Sequence, residues 1–287
     1  MSETILVTTQ AEMDAAIVRQ EGDPLVRIEV CGSVNVYIYY SATVHAFGSA
    51  NVYASDSARV TASGSASVSA FGSARVIAFD SVTVTAFGSA RVCAFDSARV
   101  YASDSATVSA SGSASVYSSG SASVTASGSA SVYASDSATV SASGFVTVLR
   151  LSPNVVVLTG GRIPDFSTPL GWCEYAGAAE ASAGTRILYK GLDSEFRSAH
   201  GTVYLPGTEV VAPDWDDGAA ECGGGLHFCA NAAATLQFAD DAAKFVACEV
   251  ALADMAAHEF PRYPSKIKAR AARVLYECDV HGERVVK

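Results

Sequence analysis

SARVTASG (Ser57–Gly64), SASVSAFG (Ser65–Gly72), SARVIAFD (Ser73–Asp80), SVTVTAFG (Ser81–Gly88) and SARVCAFD (Ser89–Asp96) are five consecutive copies of one octapeptide. The unit Ser-Ala-x-Val-x-Ala-(Phe/Ser)-(Gly/Asp) runs thirteen times without a break from Ser41 to Gly144. A fixed short period marks a solenoid, in which each unit is too small to bury a core alone and buries it by stacking on its neighbours. Positions 2, 4 and 6 (Ala, Val, Ala) share one parity and so one face of a strand, while positions 3 and 5 face outward. Gly or Asp at position 8, flanked by Ser, supplies the corner. Gly tolerates positive φ there, and Asp is expected to bond its own backbone. Each octad therefore reads as one short strand and one corner.

The outward residues set the number of octads per coil. Tyr37, Tyr53, Tyr101, Tyr117 and Tyr133 occupy position 5 at multiples of sixteen, with Ser69 and Thr85 in the gaps. Arg59, Arg75 and Arg91 sit sixteen apart at position 3 of the other octad class, and Phe71/Phe87 and Phe79/Phe95 repeat at the same interval. A 24-residue triangular coil would scatter these residues. The spacing predicts a flattened, two-sided β-solenoid of sixteen residues per coil, with a Tyr ladder on one face and an Arg ladder on the other. Small inward Ala and Val fit the thin gap between two such faces. Residues 25–152 then make about eight coils, a rod of roughly 38 Å at ~4.8 Å per coil.

Upstream, Ile5–Val7 reads as a strand and Gln10–Arg19 as a helix with Met13, Ala16 and Ile17 on one face, N-capped by Thr8 or Thr9. Glu21-Gly22-Asp23-Pro24 stops it. Residues 1–24 are expected to cap the solenoid, whose open edge would otherwise recruit another chain. LVRIEVCG (25–32) and SVNVYIYY (33–40) lead into the strict octads. FVTVLRLS and PNVVVLTG after Gly144 read as a last coil, and Gly160-Gly161, Pro164 and Pro169 mark a boundary. The organisation expected is a cap (1–24), a solenoid (25–164) and an α+β C-terminal domain (165–287), mainly β as a whole. In the last third, Arg186–Lys190, Thr202–Leu205, Phe245–Leu252 and Arg273–Val280 read as strands and Ala232–Phe245 as a helix.

The formal charge of −10 is uneven. The strict repeat is nearly neutral, residues 1–32 carry about −4 and residues 145–287 about −5. An acidic chain lacks the basic footprint that nucleic acid or an anionic membrane requires. The N-terminus has no basic n-region or apolar h-region, and no apolar run approaches the roughly 20 residues of a membrane helix. Seven Cys at irregular spacing fit a reducing compartment. A cytoplasmic or virion-associated protein is expected. Exposed aromatic stripes are costly unless covered, so Tyr101, Tyr117, Tyr133, Phe71, Phe79, Phe87 and Phe95 are candidate interface residues, with a second copy or another protein as partner. The stacked Arg read as solvated charge near Asp80 and Asp96, or as a site for an anion or acidic partner. Thr107/Ser109, Ser123/Thr125 and Thr139/Ser141 form a patch that resembles the ice-binding faces of some antifreeze proteins, which implies ice or surface binding.

ILYKG (Ile187–Gly191), CGGGLHFC (Cys222–Cys229) and FVACEVALADM (Phe245–Met255) follow one another in an order that resembles the ADP-ribosyltransferase core of the poly-ADP-ribose polymerase type. In that family a strand ending in His-Gly or Arg-Gly holds NAD, a Gly-x-Gly-(Ile/Leu)-Tyr-Phe segment stacks on the nicotinamide, and a later strand supplies a Glu. Lys190 stands where the family has His or Arg, and His227 where it has Tyr. Glu277 is the candidate on the last strand. The resemblance implies Lys190 and His227 as ligand-binding residues and NAD as the ligand; otherwise no cofactor is expected and no catalytic residue is assigned. WCEYAG, APDW and CGGGLHFC also resemble a domain of actinobacterial and actinophage proteins, which implies a setting and no particular activity. Cys222, His227 and Cys229 lack paired Cys-x-x-Cys spacing, so no metal is expected. Gly223-Gly224-Gly225 suggests a phosphate cradle, but without a following Gly-Lys-Ser/Thr it is no P-loop. Lys266, Lys268, Arg270 and Arg273 read as a solvated face.

Overall fold

The structure, a computed structural model, describes residues 3–218 and 221–286. Met1, Ser2, Ala219, Ala220 and Lys287, which belong to the expected cap and C-terminal domain, lie outside the described residues. The chain forms two compact units, Met1–Ile163 and Pro164–Lys287.

The first unit begins with β1 (Thr4–Val7) and α1 (Gln10–Gly22). Thr9 caps α1 in a capping box with Glu12, and Met13, Ala16 and Ile17 are its buried residues. Strands of four residues then recur every eight. β2 (Arg27–Val30), β4 (Thr43–Ala46), β6 (Arg59–Ala62), β8 (Arg75–Ala78), β10 (Arg91–Ala94), β12 (Thr107–Ala110), β14 (Ser123–Ala126), β16 (Thr139–Ala142) and β18 (Val156–Thr159) join β1 in a ten-stranded parallel sheet. β3 (Asn35–Ile38), β5 (Asn51–Ala54), β7 (Ser67–Ala70), β9 (Thr83–Ala86), β11 (Arg99–Ala102), β13 (Ser115–Ser118), β15 (Ser131–Ala134) and β17 (Thr147–Arg150) form an eight-stranded one. Neighbours pair sixteen residues apart, Val100 with Val84 and Val116 for example. The result is the two-sided, sixteen-residue solenoid of about eight coils that the outward spacing predicts. Its core is a continuous stack of fully buried Ala and Val.

The corners differ from expectation in one respect. Every position 8 from Gly48 to Gly144, Gly or Asp, has positive φ. The Asp carboxylates, however, do not bond their own backbone. Asp80, Asp104 and Asp136 accept the N–H of Gly64, Gly88 and Gly120, one coil earlier, each at 2.9 Å. Asp56 and Asp96 do the same to Tyr40 and Asp80. Stacking brings equivalent corners so close that the preceding coil offers a donor within reach of the carboxylate. The bond offsets the strain of holding an L-residue in the left-handed region, about 1–2 kcal/mol.

The helix covers the solenoid's open end through two glutamines. Gln10 donates to the Tyr37 carbonyl (3.1 Å) and accepts its N–H (2.7 Å), so its amide takes the place of a missing strand beside β3. Gln20 donates to the Val26 and Thr43 carbonyls (2.9 Å each) and accepts the Thr43 N–H (2.7 Å), standing in a gap of the ladder between β2 and β4. At the other end Arg162 exchanges backbone bonds with Val146 and Val148 along β17.

The second unit carries α2 (Pro169–Ala176), capped by Thr168 and ended by Gly177 in the left-handed region. An antiparallel seven-stranded sheet follows. Its order is β20 (Glu209–Val211), β25 (Ala271–Cys278), β22 (Lys244–Ala251), β19 (Thr185–Leu192), β21 (Leu226–Cys229), β24 (Lys266–Ala269) and β23 (Met255–Ala256). Trp172 on α2 donates to the Pro264 carbonyl at 2.9 Å. Two sequence expectations fail here. The helix over Ala232–Phe245 shrinks to a 3-10 turn at Ala233–Gln237, because Lys244 onward is taken by β22. Thr202–Leu205 is not a strand: Val203 makes one isolated bridge to Arg197, and Tyr204 is buried against Phe228. Among the described residues no helix is long and apolar enough to cross a membrane.

Candidate functional sites

Two places gather the candidate residues. The first is the outer face of the eight-stranded sheet. Tyr101, Tyr117 and Tyr133 stack with ring centroids 5.0 and 4.6 Å apart, Tyr37 and Tyr53 at 4.7 Å, and Phe71 and Phe87 at 5.4 Å. Phe79 and Phe95 stack at 5.1 Å on the opposite, ten-stranded sheet. The seven interface candidates are therefore divided between two faces.

Position 7 completes the pattern on the eight-stranded face. Each of the six coils from β5 to β15 presents one ring and one small hydroxyl residue at positions 5 and 7. These pairs are Tyr53/Ser55, Ser69/Phe71, Thr85/Phe87, Tyr101/Ser103, Tyr117/Ser119 and Tyr133/Ser135. Where the position-7 column is Ser, between Phe87 and Leu151, a groove of about 300 Å³ runs beside the Tyr ladder over Ala102 and Ser118. Arg99 is the one charged residue among positions 3, 5 and 7 of these coils. The pairing of positions 5 and 7 was present in the sequence, but a column-by-column reading does not reveal it.

On the ten-stranded face Arg59, Arg75 and Arg91 align in register. Among the described residues none of the three makes an ion pair, and Asp80 and Asp96 bond the corner backbone. The Ser/Thr patch lies further along the same face, with Thr107, Ser123 and Thr139 in one column and Ser109, Thr125 and Ser141 in the next.

The second place is a cavity of about 330 Å³ in the C-terminal sheet that brings Lys190 and His227 together. β19 and β21 share a single residue pair, Tyr189 with Cys229. Next to that pair the Lys190 ammonium donates to the His227 carbonyl at 2.8 Å, and lies 5.7 Å from the Tyr204 ring centre and 6.0 Å from that of Phe228. Burial pulls the Lys190 ammonium down to about 8. Burial likewise lowers His227 to about 4, against the opposing pull of its 3.2 Å contact with the Glu221 carbonyl, so its imidazole is neutral at pH 7. Lys266 supplies a second ammonium, 3.2 Å from the Cys222 sulfur and over the rings of Phe238 (4.8 Å) and Tyr263 (4.6 Å). Among the described residues the lining holds these two cations, aromatic edges, His200, Ser198 and Thr235, and no carboxylate. Such a site attracts an anionic group attached to a flat or apolar body.

Other nominated residues fall elsewhere. Glu277 is absent from the cavity lining and pairs with Lys244 at 3.1 Å. Lys266 and Lys268 are not a solvated face: Lys266 lines the cavity, and Lys268 lies under the Trp215 ring and the Gly225 backbone. Lys268 is 1% exposed and its ammonium lies 5.7 Å from the Trp215 ring centre. Arg270 pairs with Asp254. The glycine run has a packing role: a Cβ at Gly224 would lie 2.0 Å from the Asp214 carbonyl oxygen, so glycine lets the Asp214–Asp216 loop close on it. Burial raises the Cys229 thiol to about 11. Among the described residues no three His, Cys, Asp or Glu side chains converge as a metal site would need. No curated protein and no solved structure matches the chain. Residues 186–284, which span β19 to β25, match a family model described as a domain of unknown function (DUF7666).

Proposed function

We propose that the chain is an interaction protein: a β-solenoid that associates through the aromatic face of its eight-stranded sheet and carries the C-terminal sheet domain on the assembled rod. The observation that supports this reading is the ring-and-hydroxyl face itself, which leaves stacked Tyr and Phe exposed among outward strand positions that carry one charge, Arg99. Stacking already satisfies the ring faces inside each ladder. Their edges remain in water until a partner covers them, and apolar stripes of that length are disfavoured on a monomer. Sedimentation should show self-association of the intact chain. Tyr101→Ser/Tyr117→Ser/Tyr133→Ser should abolish it, since Ser69 already occupies the same position elsewhere in the ladder, whereas Phe79→Ser/Phe95→Ser on the other face should not. Wild type running as a monomer at 100 μM, or dissociation by the Phe79/Phe95 change alone, would contradict the reading.

A second reading has its own support. Lys190 and His227, nominated by the transferase resemblance, line one cation-bearing cavity, which suits an anionic nucleotide such as NAD or ADP-ribose. The displaced Glu277 argues for a binding module over an active transferase. Calorimetric titration of NAD and ADP-ribose into the full chain should give saturable heat that disappears in Lys190→Ala and His227→Ala. No heat at millimolar ligand would end this reading.

A further inference from the structure

We propose that two copies of the chain pack parallel and face to face through the eight-stranded sheet, related by a two-fold axis that runs along the solenoid between positions 5 and 7. This rests on the assembly reading above and specifies its partner and register. A two-fold axis in that place sets position 5 of each coil opposite position 7 of the same coil in the partner. Every ring then meets a Ser or Thr: Tyr117 faces the partner's Ser119, and the partner's Tyr117 faces Ser119. The rule holds in all six coils, including the two where the ring moves from position 5 to position 7. The change of column, which looks like an irregularity in one chain, keeps one large and one small side chain per coil. Two sheets about 10 Å apart can then interdigitate without a clash or a void.

Antiparallel packing lacks this property. It keeps each column opposite itself, so a ring meets a hydroxyl only where a Tyr coil opposes a Phe coil. No offset achieves that for all six, since four of the coils carry Tyr and two carry Phe. Electrostatics agrees, because positions 3, 5 and 7 carry no charge apart from Arg99, which the axis places at opposite margins of the pair, and Asp56, Asp104 and Asp136 lie at the corners that bound the face. Six coils of ~4.8 Å by about five residues of ~3.3 Å give roughly 470 Å² of projected face per copy. About 1,000 Å² in total lies at the weak end of specific interfaces. A dimer dissociating in the micromolar range is the corresponding affinity.

Swapping large and small within a coil tests the register. Ser119→Tyr puts two rings opposite two rings and should weaken the dimer at least tenfold in sedimentation equilibrium. Adding Tyr117→Ser to it restores one large and one small residue, and should bring affinity back to within about threefold of wild type. Thr85→Phe with and without Phe87→Ser repeats the test in an independent coil should the first pair not fold. Thr125→Tyr on the opposite sheet should leave the dimer unchanged. A dimeric wild type whose swapped variants stay as weak as the single ones would overturn this register and leave the assembly reading standing. A monomeric wild type would remove both.

Discussion

Val100→Asp should unfold the repeat region at room temperature. Val100 is fully buried, paired in register with Val84 and Val116, and surrounded by Ala and Val alone. The substitution removes a packed side chain and places a carboxylate where no donor is available. Cavity and desolvation together cost about 5 kcal/mol or more, a large share of the roughly 5–15 kcal/mol that stabilises a domain. A solenoid holds each coil only through its neighbours, so a defect in the middle also uncouples the coils on either side. Far-UV circular dichroism should lose most of its strand signal. Both tryptophans, Trp172 and Trp215, lie in the second unit, and their emission should stay close to wild type. A variant with wild-type circular dichroism would mean that position 4 does not face a continuous core.

Lys190→Met should erase a pH dependence of the C-terminal sheet. The ammonium titrates near 8 in the folded state, below the ordinary lysine value of 10.5, because burial disfavours its charge. Between these values the unfolded chain holds a proton that the folded chain has lost. The Lys190 contribution to stability therefore rises with pH from about 8 and levels off above about 10.5, while the buried thiols, raised by burial, act in the opposite sense in wild type and variant alike. The gain amounts to about 3 kcal/mol. Below pH 8 the penalty for the buried charge is constant. Met fills the same space without a titrating group, so the stability of wild type relative to the variant should rise across that window and stay flat beneath it. Urea unfolding followed by tryptophan emission at several pH values measures this directly. Parallel curves would show that the Lys190 ammonium is not held in the enclosed setting described.

The solenoid was legible in the sequence because every coil repeats the same pattern. Recurrence of Tyr and Arg at sixteen depends on which residues stack, and stacking in a parallel ladder fixes that spacing. The thin Ala/Val core follows from the same register. The corner bonds were not legible, since an Asp in the left-handed region is equally satisfied by its own turn or by the preceding coil, and only the close stacking of corners decides between them. Gln10 and Gln20 were hidden for a related reason: nothing local marks a helix amide as a substitute for a strand edge 23 or 27 residues away. The C-terminal sheet resisted reading because it has no repeat. Ala232–Phe245 has helical composition, yet its last residues are claimed by an eight-residue strand pairing on both sides. Lys268 reads as surface by its charge, and its burial follows from the Trp215 ring and the Gly225 backbone that lie over it, 53 and 43 residues away in sequence. The meeting of Lys190 with His227 was implied by a resemblance and not by spacing, because a separation of 37 positions says nothing about the single Tyr189–Cys229 pair that brings β19 to β21.

The mass of the intact chain in solution bears most directly on the central claim that the aromatic face is an assembly surface. Sedimentation equilibrium across 1–100 μM should show a concentration-dependent rise from the 29.5 kDa of one chain towards twice that value, lost when Tyr101, Tyr117 and Tyr133 are replaced by Ser. A mass of one chain at every concentration would contradict it.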